Sequence, residues 1–278
     1  MGRSAIVRVC GWVLVALAIS IRAGGPADAA DDRLDRIRAD GVIRIGYAEE
    51  APFALVRDGE VTGESPELAK LVAARLGIAE IDWVRVRFRE LMPGLRDGLF
   101  DAVAAGMFVT PERARMVTFS APTVRVAPGL LVHRGNPRNL HSYLDLLVQT
   151  DARIVVLSGS VEERDLERRG ISPSRIRRVG DAETGWGLVA EGHADALALS
   201  LPTVRWMAGD GGSGVEAVAI TPEPGQPFST FDVAFAFARG QTRLARAWNR
   251  AQAEVLGSPE HLARIAPFGF AADDVAAR

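Results

Sequence analysis

The chain has 278 residues, 24% charged and 48% hydrophobic, with a formal net charge of -2. That balance describes a folded globular protein, because disordered chains carry fewer apolar residues and more net charge. Without a positive excess there is no electrostatic basis for coating nucleic acid. Lys70 is the sole lysine, so arginine carries the positive charge, and each arginine needs a local argument before it counts as functional.

The first thirty residues read as an export signal. Arg3 and Arg8 precede an apolar run, Gly11 to Ile21, and Ala27-Asp28-Ala29 supplies small residues for cleavage near residues 29–30. The run is shorter than the roughly 20 residues a membrane-spanning helix needs. Cys10 is the single cysteine and lies before that run, so the exported chain is expected to have no disulfide, thiolate nucleophile or cysteine metal site. A cysteine-free, mildly acidic exported chain points to a bacterial periplasm.

After the leader, strands and helices alternate. Val42 to Tyr47 reads as a strand, and Ser65-Pro66-Glu67 opens a helix with Ser65 as its cap. Ile81 to Phe88 is a strand, Glu90 to Gly98 a short helix, and Asp101 to Met107 a buried strand. Thr110-Pro111-Glu112-Arg113 repeats the cap-then-proline start. Further on, strands are expected at Ala152 to Leu157, Ile176 to Val179, Ala194 to Leu199 and Val215 to Ile220, with helices between them. Thr221 to Ser229 is rich in proline and glycine and reads as a loop. A strand over Phe231 to Phe237 and a long helix over Thr242 to Leu256 follow. This rhythm predicts an α/β fold with mostly parallel strands. The apolar segments Gly129 to His133 and Phe231 to Phe237 flank the second unit, as two hinge strands would if that unit were inserted into the first.

The chain resembles the family 3 periplasmic solute-binding proteins of ABC importers. The resemblance rests on Ile43 to Tyr47, Gly63 to Ala69, Leu91 to Leu95, Phe100 to Gly106, Thr110 to Arg113 and Phe119 to Pro122, in that order and spacing. It implies a two-lobed periplasmic-binding-protein fold of type II. Residues 1–30 are then the signal peptide, 31–132 the first part of lobe 1, 133–230 an inserted lobe 2, and 231–278 the hinge return and the rest of lobe 1. Segments Glu49 to Phe53, Ala105 to Arg113, Gly135 to Pro137, Leu140 to Tyr143 and Ser200 to Pro202 resemble the branch that binds ectoine and hydroxyectoine.

The resemblance assigns a ligand site. Arg113, in the first turn of a helix, would hold a ligand carboxylate with its guanidinium fork. Phe53, Phe88 and Phe108 would surround a poorly hydrated cation with their faces. Glu50 would supply the opposing charge. Gly159 and Ser160 would donate to the carboxylate from the second lobe. Amino-acid binders of the family place an aspartate where this chain has Ser200. A serine cannot neutralise an ammonium in a desolvated site, so an ordinary α-amino acid is disfavoured. The expected function is capture of a small zwitterion for an ABC permease in the inner membrane, by a monomer, with no cofactor, no metal and no nucleic-acid partner. Two alternatives stay open: a binder of polar amino acids, and a periplasmic enzyme like cyclohexadienyl dehydratase with Glu50 as general acid. No cysteine nucleophile, paired-histidine motif or glycine-rich phosphate loop favours other chemistry.

Overall fold

The structure, a computed structural model, describes residues 33–209, 212–221 and 230–277. The expected leader and most of the Thr221 to Ser229 loop lie outside the described residues.

The chain begins with α1 (Arg33–Asp40), β1 (Val42–Tyr47), the hairpin β2 (Leu55–Arg57) and β3 (Glu60–Thr62), α2 (Glu64–Arg75) and β4 (Glu80–Arg85). Next come α3 (Leu91–Arg96), β5 (Ala102–Val103), α4 (Pro111–Ala114), β6 (Val117–Phe119) and β7 (Arg125–Val126). The second lobe is built from β8 (Pro128–His133), α5 (Tyr143–Val148), β9 (Ile154–Leu157), α6 (Val161–Arg168) and β10 (Ile176–Val179). It is completed by α7 (Ala182–Ala190), β11 (Ala196–Ser200), α8 (Leu201–Ala208) and β12 (Val215–Ala219). The chain returns through β13 (Phe231–Asp232) to β14 (Ala236–Ala238), α9 (Thr242–Val255) and α10 (Pro259–Ile265).

Two five-stranded sheets result, ordered β4-β1-β5-β14-β6 and β10-β9-β11-β8-β12. In each, one strand runs against its neighbours: β14 in the first and β8 in the second. Each is the strand the chain enters just after crossing between lobes, which is why its direction is reversed. The crossing itself is a pair of short antiparallel strands, with Phe231 opposite Val126 and Asp232 opposite Arg125. This corrects two expectations. Gly129 to His133 is not a hinge strand but an internal strand of the second sheet, so the crossing at Arg125–Val126 comes before the expected 132/133 boundary. The expected strand over Phe231 to Phe237 is also split, its first part in the hinge and its second in the first sheet. The insertion of one lobe into the other holds.

Alternation explains the sheets locally. Ile43 and Ile45 are fully buried while Arg44 between them is not. On α9, Leu244, Trp248 and Val255 face the core, and Trp248 packs edge-on against Phe235 and Phe237. The second sheet is covered on both faces: Leu130, Ile154, Val156 and Ala198 pack in one layer, and Leu131, Val155, Leu157 and Leu197 in the other. The helix caps follow the sequence at Thr110, Ser160, Ser200 and Ser258, whose side chains accept the amide hydrogens of Arg113, Glu163, Thr203 and His261. Ser65 is an exception. The helix starts at Glu64, and the Ser65 hydroxyl donates to the Glu64 carboxyl at 2.6 Å and accepts from the Gly106 amide at 3.2 Å.

Candidate functional site

The parallel strands of both sheets end toward the same cleft, where ligands of open α/β sheets collect. Past β1 lies Glu50, past β4 lies Phe88, and past β5 lie Gly106 and Phe108. Across from them, β9 leads to Gly159 and Ser160, and β11 ends at Ser200. A cavity between the lobes is lined by Glu50, Phe88, Phe108, Arg113, Ser160 and Glu162, among others.

Arg113 anchors it. Thr110 caps the short α4 and Pro111 fixes its first turn, which points the Arg113 side chain inward to 1% exposure. Its guanidinium donates to the Phe108 carbonyl at 3.0 Å and, across the cleft, to the Gly159 carbonyl at 3.2 Å. Its Nε is buried with no partner. Burial lowers its pKa to about 10, opposed by the negative charge of Glu162, so it remains cationic at neutral pH. A buried guanidinium with a vacant donor is suited to an incoming oxyanion.

Glu50 sits in a turn after β1 held by the Phe53 amide on its own carbonyl at 2.9 Å. Its carboxyl accepts a hydrogen bond of 2.9 Å from the Thr203 hydroxyl of the other lobe. Burial, then the neighbouring Glu162 charge, push its pKa up to about 7, against the Thr203 bond and Arg113. The carboxyl can therefore hold or release a proton near neutrality, and a cation beside it would favour release.

The three expected aromatic rings do not converge. The Phe88 ring lies in the cleft with the Arg113 guanidinium 5.5 Å from its centroid, and it stands in a 3-10 turn over Phe88–Glu90 rather than at a strand end. Phe108 lines the cavity and stacks on Phe231 at 4.7 Å. Phe53 goes elsewhere: at 1% exposure it packs against Phe270 in the core of the first lobe. Gly106 explains why. Its φ of +61° and the missing side chain let the Phe53 ring pass behind it, where a Cβ would stand 2.5 Å from the ring. Phe53 thus supports the cleft floor from below, and two rings, not three, face the cavity.

The second lobe also departs from expectation. The Gly159 amide donates to Glu163 at 2.6 Å and the Ser160 amide to the Leu157 carbonyl at 3.1 Å, so both are engaged within the lobe. The Ser160 hydroxyl lines the cavity while capping α6. Ser200 is buried to 1% exposure; its hydroxyl accepts from the Thr203 amide and shares a 2.8 Å hydrogen bond with the Thr203 hydroxyl. Its tie to the cleft runs through Thr203 to Glu50. Thr203 and Glu162 are the residues sequence reasoning missed. Thr203 had a local signal, three residues after a capping serine. Glu162 lies in the charged run Glu162-Glu163-Arg164-Asp165, which reads as a solvated helix face. Among the described residues no group of three or more histidine, cysteine, aspartate and glutamate side chains could hold a metal ion.

Residues 43–265 match the bacterial extracellular solute-binding proteins, family 3. A probable amino-acid ABC transporter periplasmic-binding protein of Sinorhizobium fredii is 36% identical over 178 residues, covering 63% of this chain and 59% of that protein. The aligned stretch thus spans less than two thirds of that relative. The fold resembles EhuB in complex with hydroxyectoine, with a TM-score of 0.78 and 31% identity over 87% of this chain and 93% of the other. It also resembles the ancestral amino-acid-binding protein AncCDT-1, a precursor of cyclohexadienyl dehydratase, with a TM-score of 0.74 and 26% identity over 84% and 98% of the two chains.

Proposed function

Because the chain belongs to family 3 of the bacterial extracellular solute-binding proteins, we propose that it captures a small zwitterion between its lobes in the periplasm and delivers it to an ABC permease. Ectoine and hydroxyectoine are the first candidates and polar amino acids the second. One observation carries this reading: a buried arginine with a vacant donor and a carboxyl of raised pKa line one cavity, with two phenylalanine rings beside them. The arginine takes the anionic end of the ligand, and Glu50 takes the cationic end. Likeness to the hydroxyectoine complex supports this choice. So does Ser200, which offers no charge to an α-ammonium.

Capture works through closure. Ligand contacts made by both lobes stabilise the closed state over the open one. The hinge strands β7 and β13 are two residues each, so little backbone resists the motion. Calorimetry with ectoine, hydroxyectoine, glycine betaine, glutamine and arginine tests the assignment. Saturable binding of ectoine or hydroxyectoine, tighter than that of glutamine and arginine, is expected. Preference for glutamine or arginine would move the protein to the second candidate class.

A second reading is favoured by the protonation of Glu50. A carboxyl with a pKa of about 7 can act as a general acid, and the likeness to a precursor of cyclohexadienyl dehydratase gives it a context. Product formation from prephenate or arogenate, abolished by Glu50→Gln, would establish catalysis.

A further inference from the structure

The cavity carries one carboxyl more than a simple zwitterion requires. Glu162, in the first turn of α6, is only 5% exposed and lines the cavity together with Glu50 and Arg113. The function proposed above does not use it. Arg113 is the one cation among the described residues lining this cavity. The fixed groups are therefore one guanidinium and two carboxyls, and both carboxyls act electrostatically on Arg113. Burial raises the Glu162 pKa, against its own amide, Arg113 and the Ser160 hydroxyl.

A ligand carboxylate meets Arg113 and leaves two carboxyls facing the rest of the ligand. Burial raises the pKa of both carboxyls, and a cationic end that donates to both draws them into the charged form. A quaternary ammonium has no N–H to give. An amidinium or guanidinium is flat, spreads its charge, and directs N–H donors along divergent lines. Its faces suit the Phe88 and Phe108 rings.

We propose that Glu162 is a ligand-facing, specificity-determining residue that acts with Glu50 to select carboxylates bearing a planar, two-donor cation over those bearing a quaternary ammonium. This rests on the zwitterion-capturing function proposed above.

Calorimetry on the protein with ectoine, arginine and glycine betaine as probes tests it, with the isosteric Glu162→Gln, the charge-retaining Glu162→Asp and, as a charge control on the same helix, Glu167→Gln. Glu162→Gln should weaken binding of the planar-cation probe by about tenfold or more while glycine betaine shifts by less than about threefold, the range of a lost charge-assisted hydrogen bond against none. Glu162→Asp should recover part of the preference, and Glu167→Gln should leave it intact. Thermal melts without ligand identify any variant that fails to fold. An unchanged ratio between the probes in a folded Glu162→Gln protein overturns the role of Glu162 and leaves the proposed function standing. If none of the probes binds the unsubstituted protein, the proposed function falls and this inference with it.

Discussion

The two lobes have matching sheets but bring unlike surfaces to the cleft. Lobe 1 contributes long, chemically distinct side chains: Arg113, Glu50, Phe88 and Phe108. Lobe 2 contributes a carbonyl at Gly159, hydroxyls at Ser160 and Thr203, and one charged group, Glu162. Each hydrogen bond between them described above joins an ionisable side chain of lobe 1 to a neutral group of lobe 2: Arg113 to the Gly159 carbonyl, and Thr203 to Glu50. The difference teaches a division of labour. Under the proposed function lobe 1 meets both charged ends of a ligand, while lobe 2 adds Glu162 and the neutral groups that join the lobes.

The largest effect should come from removing the charge reader of lobe 1. Arg113→Ala leaves a ligand carboxylate buried without its partner, which costs about 2–5 kcal/mol, or at least about 30-fold in affinity at roughly 1.4 kcal/mol per decade. Titration calorimetry with the preferred zwitterion measures this; affinity within about threefold of the parent would mean that lobe 1 does not read the anionic end.

A second prediction sets Glu50 against Glu64, a carboxyl of the same lobe with the same displaced pKa of about 7. Glu64 is fully buried, accepts a hydrogen bond from the Ser65 hydroxyl, and has one oxygen without a partner. Its folded pKa lies above its unfolded value of 4.5 because burial disfavours the charged form. The neutral form is therefore stabilised on folding, and that contribution is present at low pH and lost as pH rises from about 5 through about 7. Glu64→Gln should match the parent near pH 5 and exceed its stability by on the order of 2–3 kcal/mol near pH 8, with or without ligand, since Glu64 does not line the cleft cavity. Denaturant melts at both pH values test the sign. A gain that vanished on ligand binding would place Glu64 in communication with the cleft.

The smallest effect should come from the Thr203 hydroxyl. Thr203→Val keeps the shape and removes the hydroxyl that meets Glu50, a loss of about 0.5–1.5 kcal/mol. Small-angle scattering of the ligand-free variant should show a larger radius of gyration than the parent, as fewer molecules stay closed. Identical profiles would remove Thr203 from closure.

Much of the fold could be read from local signals. The pairs Ser65-Pro66 and Thr110-Pro111 marked helix starts to within a residue or two, because proline at the first helical position and a neighbouring hydroxyl are local signals. The alternation of Val42 to Tyr47 marked its strand for the same local reason. The hinge was misplaced because Pro128–His133 is apolar in the way any buried strand is, and its partner Ala196–Ser200 lies far along the chain. The resemblance assigns Phe53 to the cavity, while its burial depends on Gly106 and Phe270, both distant in sequence.

By itself the sequence determined the α/β rhythm and the capped helix starts, since each follows from side chains within a turn or a strand of one another; the inserted lobe and the place of Arg113 beside a cleft came through the resemblance to family 3. Only the tertiary structure decided which rings face the cavity, where the chain crosses between lobes, and that Glu162 and Thr203 stand opposite Arg113 and Glu50. Those facts depend on which distant surfaces meet when two lobes close, and no local pattern encodes that encounter.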